Sequence, residues 1–123
     1  MNETKGQKYY DLEERTIKFA KDVREFVKKL PKTIANIEDG KQLIRASGSP
    51  GANYIEANEA VSKKDFVLKI KICRKEGKES KYWLKLVEVG AKTELEEQRK
   101  ILVQEATELM MIFSSIMRKS ERN

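Results

Sequence analysis

The feature that most constrains the fold is a regular spacing of small and apolar residues between positions 66 and 87. Intervals that alternate between four and three residues place such residues along one side of a helix, as in the seam of a coiled coil. A seam of this kind must be covered by other helices, so the spacing predicts a helix that packs along most of its length. The residues are Phe66, Ile70, Cys73, Gly77, Ser80, Leu84 and Val87.

Three further amphipathic segments accompany this helix, and short breaks separate them. Pro31 ends the first segment, Gly90 is the predicted end of the third, and Thr93 with Glu96 forms a capping box for the fourth. No segment shows the alternation of period two that predicts strands. We therefore predict one domain over residues 1–123 with an all-α fold, an antiparallel, up-down-up-down four-helix bundle. The predicted helices span residues 11–30, 32–61, 63–89 and 93–118.

The second predicted helix contains a proline and several small residues, which is unusual for a helix. Glycine costs about 1 kcal/mol and an interior proline about 3 kcal/mol relative to alanine. Close approach by a neighbouring helix would offset this cost. At Pro50 we expect the helix either to kink or to break into two. The expected contact face is Ile37, Ile44, Gly48, Gly51 and Ile55.

The composition excludes several classes of function. The 123 residues include no histidine and one cysteine, which removes histidine-dependent nucleophile pairs, most zinc sites and an intrachain disulfide. We predict a protein that is not an enzyme, with no catalytic residue, no metal and no cofactor. No run approaches the roughly 20 apolar residues of a membrane span, and the polar segment Met1–Lys8 lacks the apolar region of a signal peptide. Together with the lone Cys73, this predicts a cytoplasmic protein without membrane contact.

The third predicted helix carries most of its charge on the side opposite the seam. Residues 63–85 contain nine basic and three acidic side chains, a balance of +6 that equals the formal net charge of the whole chain. Such a stripe either binds the phosphates of a nucleic acid or keeps a helix surface solvated. Few aromatic residues lie among these basic residues to stack on bases, and only Tyr82 is close to the stripe. The residues predicted to contact nucleic acid are Lys64, Lys71, Arg74, Lys75, Lys78 and Lys85.

A further side of the third helix combines carboxylates with large apolar residues, a pattern typical of a second contact surface. Buried carboxylates need cationic or amide partners, and the second helix offers such groups at helical spacing. We hypothesise a polar network, within one subunit or between subunits, that joins Arg45 and Asn53 to Glu76 or Glu79. Ion pairs that fix the packing register are the simpler interpretation. The residues assigned to this structural or interfacial network are Arg45, Ser49, Asn53, Glu56, Glu76, Glu79 and Trp83.

Two Glu-x-x-Glu pairs suggest one enzymatic alternative. Paired carboxylates on adjacent helices, here Glu76 with Glu79 and Glu105 with Glu108, hold Mg²⁺ in all-helical nucleotide hydrolases. The same spacing arises by chance in charged helices, and Glu108 is expected to point away from the apolar stripe of its helix. A Mg²⁺-dependent hydrolase therefore ranks below a binding protein.

Several short segments resemble the four-helix bundle proteins of the 23S ribosomal RNA intervening-sequence family. Their order and spacing hold from about Leu12 to Ile116, with Pro50 as a departure where an aliphatic residue is expected. The segments are Phe26, Leu30–Pro31, Gln42–Arg45, Ser49, Ala52–Ala57, Lys64–Phe66, Lys75–Glu76, Glu79, Tyr82–Leu84 and Glu108–Leu109.

The resemblance implies a bundle that assembles into a ring-like homo-oligomer, typically a pentamer, without catalytic activity. It also implies a link to nucleic acid. Some members are encoded inside insertions of 23S ribosomal RNA genes, and related accessory proteins of diversity-generating retroelements bind nucleic acid and a reverse transcriptase.

We therefore predict a non-enzymatic, homo-oligomeric bundle that binds RNA or DNA through basic helix faces. The alternative is a protein-interaction scaffold whose basic charge serves solubility alone.

Overall fold

The computed structural model describes residues 11–122, which form four α-helices and no strand. The helices are α1 (Leu12–Lys28), α2 (Ile34–Asn58), α3 (Lys63–Leu86) and α4 (Thr93–Arg122). The prediction of an all-α fold with four helices is confirmed.

Each helix packs on two neighbours, so the described part of the chain forms a square bundle. α2 lies against α1 and α3, and α4 lies against α3 and α1. Contacts along neighbouring helices run in reversed order, as they do between antiparallel helices. They pair Asn36 with Glu88 and Pro50 with Cys73 between α2 and α3, and Leu84 with Arg99 and Lys71 with Glu121 between α3 and α4.

The predicted seam of α3 faces the core. Its residues from Ile70 to Val87 are buried, and Phe66 packs half-buried against them. The small side chains let α4 come close, since a Cβ added at Gly77 would lie 3.2 Å from Cγ of Met110. Large side chains from α1 and α4 fill the remaining space, namely Phe19, Phe26, Leu109 and Phe113.

The predicted contact face of α2 is correct only in part. α1 approaches Gly51 closely, as the small residues of that face led us to expect, but Ile37 and Ile55 are 48% and 46% exposed and Ile44 is only half-buried. The burial of these isoleucines was predicted wrongly, because the tight contacts of α2 select small side chains and not large apolar ones. The buried side consists of Asn36, Gly40, Leu43, Ala46, Ser47, Pro50 and Ala57.

Pro50 does not break α2, which is continuous from Ile34 to Asn58. The ring is buried, and the Pro50 carbonyl oxygen accepts a hydrogen bond from the Cys73 thiol of α3 at 3.3 Å. Burial raises the pKa of the Cys73 thiol to about 12. The thiol is therefore protonated at neutral pH and serves as a packing residue and donor, not as a nucleophile.

α3 ends earlier than the glycine signal predicted. Gly90 has a positive φ of 70°, but the helix already stops at Leu86 because Val87 has extended backbone angles. The guanidinium of Arg99 on α4 covers this end by donating to the carbonyl oxygens of Leu84, Lys85 and Val87. The predicted ends of the other helices also differ: α1 and α2 stop before residues 30 and 61, and α4 runs past residue 118 to Arg122.

Asn36 joins the connection between α1 and α2 to the connection between α3 and α4. The residue is buried, and its Nδ2 donates to the carbonyl oxygens of Pro31 and Glu88 at 2.9 Å and 2.8 Å. Its Oδ1 accepts from the Glu88 backbone N–H at 2.9 Å. One amide thus satisfies three backbone groups in two connections that are far apart in the sequence.

No helix between residues 11 and 122 is long and apolar enough to cross a membrane. The segment Met1–Lys8, on which the signal-peptide prediction rests, lies outside the described residues.

α1 approaches α2 closely at Gly51. A Cβ at Gly51 would lie 2.8 Å from Oγ1 and 3.1 Å from Cβ of Thr16, whereas a Cβ at Gly48 would meet nothing nearer than 3.7 Å, at the Arg24 guanidinium. We expect Gly51→Ala to lower the free energy of unfolding by roughly 1–3 kcal/mol through overpacking. Gly48→Ala should raise it by up to about 1 kcal/mol through helix propensity.

Urea unfolding followed by circular dichroism measures both glycine variants. If both variants shifted the unfolding midpoint in the same direction, the close approach of α1 would not explain why position 51 is a glycine.

Candidate nucleic-acid interface

α3 presents a continuous row of exposed residues on the side opposite its seam. The row repeats at intervals of four and three residues, which keeps its members on one side of the helix. Every member is exposed. We call it the basic row, and it comprises Lys64, Leu68, Lys71, Lys75, Lys78, Tyr82 and Lys85.

The basic row contains five of the six residues predicted to contact nucleic acid. The sixth, Arg74, is half-buried beside the row. Lys71 lies 3.5 Å from Oε2 of Glu121 on α4. The structure gives no ion pair to the other four lysines of the row within residues 11–122, and all four residues are exposed.

Glu76 and Glu79 lie on a different side of α3, which faces α2. The Arg45 guanidinium of α2 donates a hydrogen bond to Glu79 and lies 3.3 Å from Oε1 of Glu76. Glu76 is only 7% exposed, and its Oε1 has no hydrogen-bond partner within the described residues. The nearby Arg45 guanidinium is therefore the main compensation for the negative charge of this buried carboxylate. Arg45 thereby pairs with these two carboxylates on the side of α3 toward α2 and not on the side of the basic row.

The remaining residues assigned to the polar network lie apart from these carboxylates. The Asn53 amide donates to the carbonyl oxygen and Oγ of Ser49, both at 3.0 Å, so this pair closes on α2 itself. Among the described residues of one chain, Asn53 therefore does not reach Glu76 or Glu79, and a link between subunits stays a prediction. Glu56 is exposed, and Trp83 packs half-buried against the core.

The second pair of glutamates is bound by a different arginine. Arg15 of α1 donates to both carboxylate oxygens of Glu105, at 2.7 Å and 2.9 Å, and to Glu108 at 2.7 Å. These hydrogen bonds raise the pKa of Arg15, with the bond that it donates to Glu105 having the largest effect, and keep its guanidinium charged.

The two glutamate pairs occupy opposite sides of the bundle, one where α1 meets α4 and the other where α2 meets α3. Within residues 11–122, no three Asp, Glu or Cys side chains lie close enough to hold a metal ion. The carboxylates of the Mg²⁺-dependent alternative therefore do not converge, and each pair instead compensates an arginine.

Three residues that each join two helices or connections were not predicted from the sequence, namely Arg15, Arg99 and Asn36. The separations are 90 residues for Arg15 with Glu105 and 52 for Asn36 with Glu88. No periodicity links positions so far apart. Only the salt bridge from Arg99 to Glu96, three residues earlier, could have been expected from spacing.

The ion pair between α2 and α3 yields a stability prediction. Arg45→Met should lower the free energy of unfolding by roughly 1–3 kcal/mol, because Glu76 would remain buried without a cation. Adding Glu76→Leu should recover most of this loss by removing the buried charge. Arg118→Met is the matched control, since Arg118 is exposed near the end of α4 and the structure gives it no ion pair within residues 11–122. Urea unfolding of all four proteins measures these changes, and equal effects at Arg45 and Arg118 would contradict a stabilising role of the ion pair.

Comparisons with known proteins agree with this arrangement. The chain is similar in structure to a protein of unknown function from the S23 ribosomal protein family of Bacteroides thetaiotaomicron. The sequences are 30% identical, the match covers 86% of this chain and 97% of that one, and the TM-score is 0.75. A comparison with curated proteins gives no match. The family model for the 23S rRNA-intervening sequence protein matches residues 8–115, and the chain belongs to this family.

Proposed function

We propose that this protein is a non-enzymatic, cytoplasmic homo-oligomer that binds RNA or other nucleic acid through the basic row of α3. The observation that carries the proposal is the separation of charge around α3. The basic row has five lysines and no carboxylate, while Glu76 and Glu79 lie beside Arg45 on the side toward α2. Solubility alone does not require this separation.

The dimensions of the row fit a nucleic-acid backbone. From Lys64 to Lys85 the helix rises about 30 Å at 1.5 Å per residue. At 3.4 Å per nucleotide, this length spans on the order of nine phosphates of one strand. Flexible lysines along a helix contact phosphates without selecting bases, so the row supplies affinity and orientation. The family name, which refers to 23S rRNA, agrees with an RNA partner.

A second surface supports self-association. A groove between α1 and α2 is lined by Ile17, Ala20, Gly51, Ala52 and Ile55. A second groove beside the same two helices is lined in part by Val27, Ile37, Gly40 and Ile44. Exposed apolar patches mark protein–protein contacts.

We propose that a second copy of this chain covers the groove between α1 and α2. The ring and its typical five subunits come from the family resemblance. A ring repeats the basic row in every subunit, so weak single sites add to a stronger total affinity.

The nucleic-acid interface is tested by removing four lysines of the row that have no ion pair. Binding of a labelled RNA, measured by fluorescence anisotropy, should weaken on the order of tenfold or more. The slope of log affinity against log salt should shrink by about 0.7 for each phosphate that the variant no longer neutralises. The variant combines Lys64→Gln, Lys75→Gln, Lys78→Gln and Lys85→Gln.

The control for this variant removes the same charge from α1 and from residues that follow α1 and α3, outside the groove between α1 and α2, and should bind RNA almost as well as the wild-type protein. If both variants lost affinity equally, net charge and not the basic row would explain the binding. If the wild-type protein failed to bind at low salt, the proposal would be wrong and the interaction scaffold would be favoured. The control combines Lys18→Gln, Lys28→Gln, Lys29→Gln and Lys92→Gln, all exposed.

Self-association is tested by placing a charge in the groove. Ile17→Lys with Ile55→Lys should reduce the mass measured by light scattering to the 14.3 kDa of one chain. Ile101→Lys is the control, because Ile101 is 68% exposed on α4 outside the groove. A mass of 14.3 kDa for the wild-type protein would contradict the proposal that it is an oligomer. A double variant that remained oligomeric would contradict the proposal that the groove is the interface.

A further inference from the structure

Tyr82 is a member of the basic row, but binding of phosphates by the lysines gives its aromatic ring no role. We infer that the basic row binds an unpaired, single-stranded segment of nucleic acid and that the Tyr82 ring stacks on one of its bases. This inference rests on the proposed function and adds to it the class of nucleic acid that is bound.

The Tyr82 ring is accessible and held from one side. The residue is 56% exposed and is the only aromatic among the large exposed hydrophobic residues between positions 11 and 122. Trp83 meets it edge to face, with ring centroids 5.0 Å apart and an interplanar angle of 78°. Trp83 itself packs against the core, so a fixed side chain supports the tyrosine ring.

Lysines flank the ring along the row. Lys78 lies one helical turn before Tyr82 and Lys85 lies one turn after it, on the same side of α3. A base stacked on Tyr82 would therefore have cations near the phosphates on both of its sides. An aromatic platform within a basic groove or stripe is the arrangement by which proteins hold single strands.

Duplex nucleic acid does not fit this arrangement equally well. In a duplex the faces of the bases are covered by their neighbours in the stack, and only phosphates, sugars and base edges meet a protein helix. A duplex would use the lysines of the row and leave the Tyr82 ring without a partner. A single strand uses both.

The test compares Tyr82→Leu and Tyr82→Phe with the wild-type protein by fluorescence anisotropy. Leucine keeps an apolar side chain and high helix propensity but has no aromatic face, whereas phenylalanine keeps the face. The probes are a 12-nucleotide oligouridine RNA, an oligothymidine DNA of the same length and a 12-base-pair RNA duplex. The DNA probe separates a base-stacking site common to both nucleic acids from one that requires RNA.

We expect Tyr82→Leu to weaken single-strand binding by roughly 5- to 150-fold, with Tyr82→Phe close to the wild-type protein. Duplex binding and the salt dependence should change little in either variant, because every lysine of the row is still present to bind phosphate. Unchanged helical circular dichroism confirms that the variants are folded.

Two results would overturn the inference while leaving the proposed function intact. In the first, Tyr82→Leu binds the single strand as tightly as the wild-type protein does. Tyr82 would then be assigned to a contact with protein and not with a base. The other result is an equal decrease in affinity for the single strand and the duplex. If the wild-type protein bound none of the probes, the proposed function itself would fail, and the inference with it.

Discussion

The burial of α3 along one seam determines where its charged groups lie. Small side chains such as Gly77 let α4 approach closely, and Cys73 meets the Pro50 carbonyl of α2. Once this side of α3 faces the core, the helical repeat fixes the directions in which its other sides face. The basic row must face solvent, and Glu76 and Glu79 must face α2. The proposed interface is thus a consequence of how the core packs.

Polar contacts between helices complete this arrangement. Arg45, Arg15 and Arg99 each lie between two helices, and Asn36 lies between two connections. Each compensates a group whose desolvation would otherwise be unfavourable: a carboxylate, the carbonyls at a helix end, or backbone groups in a connection. These contacts also occupy the four glutamates that resembled a metal site. These four glutamates therefore belong to the structure of the bundle, while the lysines of the basic row that have no ion pair within residues 11–122 remain available for a partner.

Prediction from the sequence succeeded where one helix side could be recognised by itself. The seam of α3 follows a regular interval, so its burial and the exposure of the basic row were both expected. The face of α2 was predicted only in part. Gly51 meets α1 closely as expected, but Ile37 and Ile55 stay exposed, and small residues such as Gly40 and Ala46 are buried in their place. A periodic pattern reveals which side of a helix carries apolar residues. Close contact between helices depends instead on the volume of each side chain. The interhelical arginines were not predictable, since their partners lie far away in the sequence.

The amino-acid sequence by itself determined the number of helices, the buried side of α3 and the separate lysine stripe, because all three depend on local spacing. Only the tertiary structure decided that Arg45 meets Glu76 and Glu79, that Arg15 takes the second glutamate pair, and that α1 and α2 leave an apolar groove uncovered. These features depend on which helices become neighbours and on the rotation of each about its own axis. Both are set by packing between side chains distant in the chain, which no local pattern records.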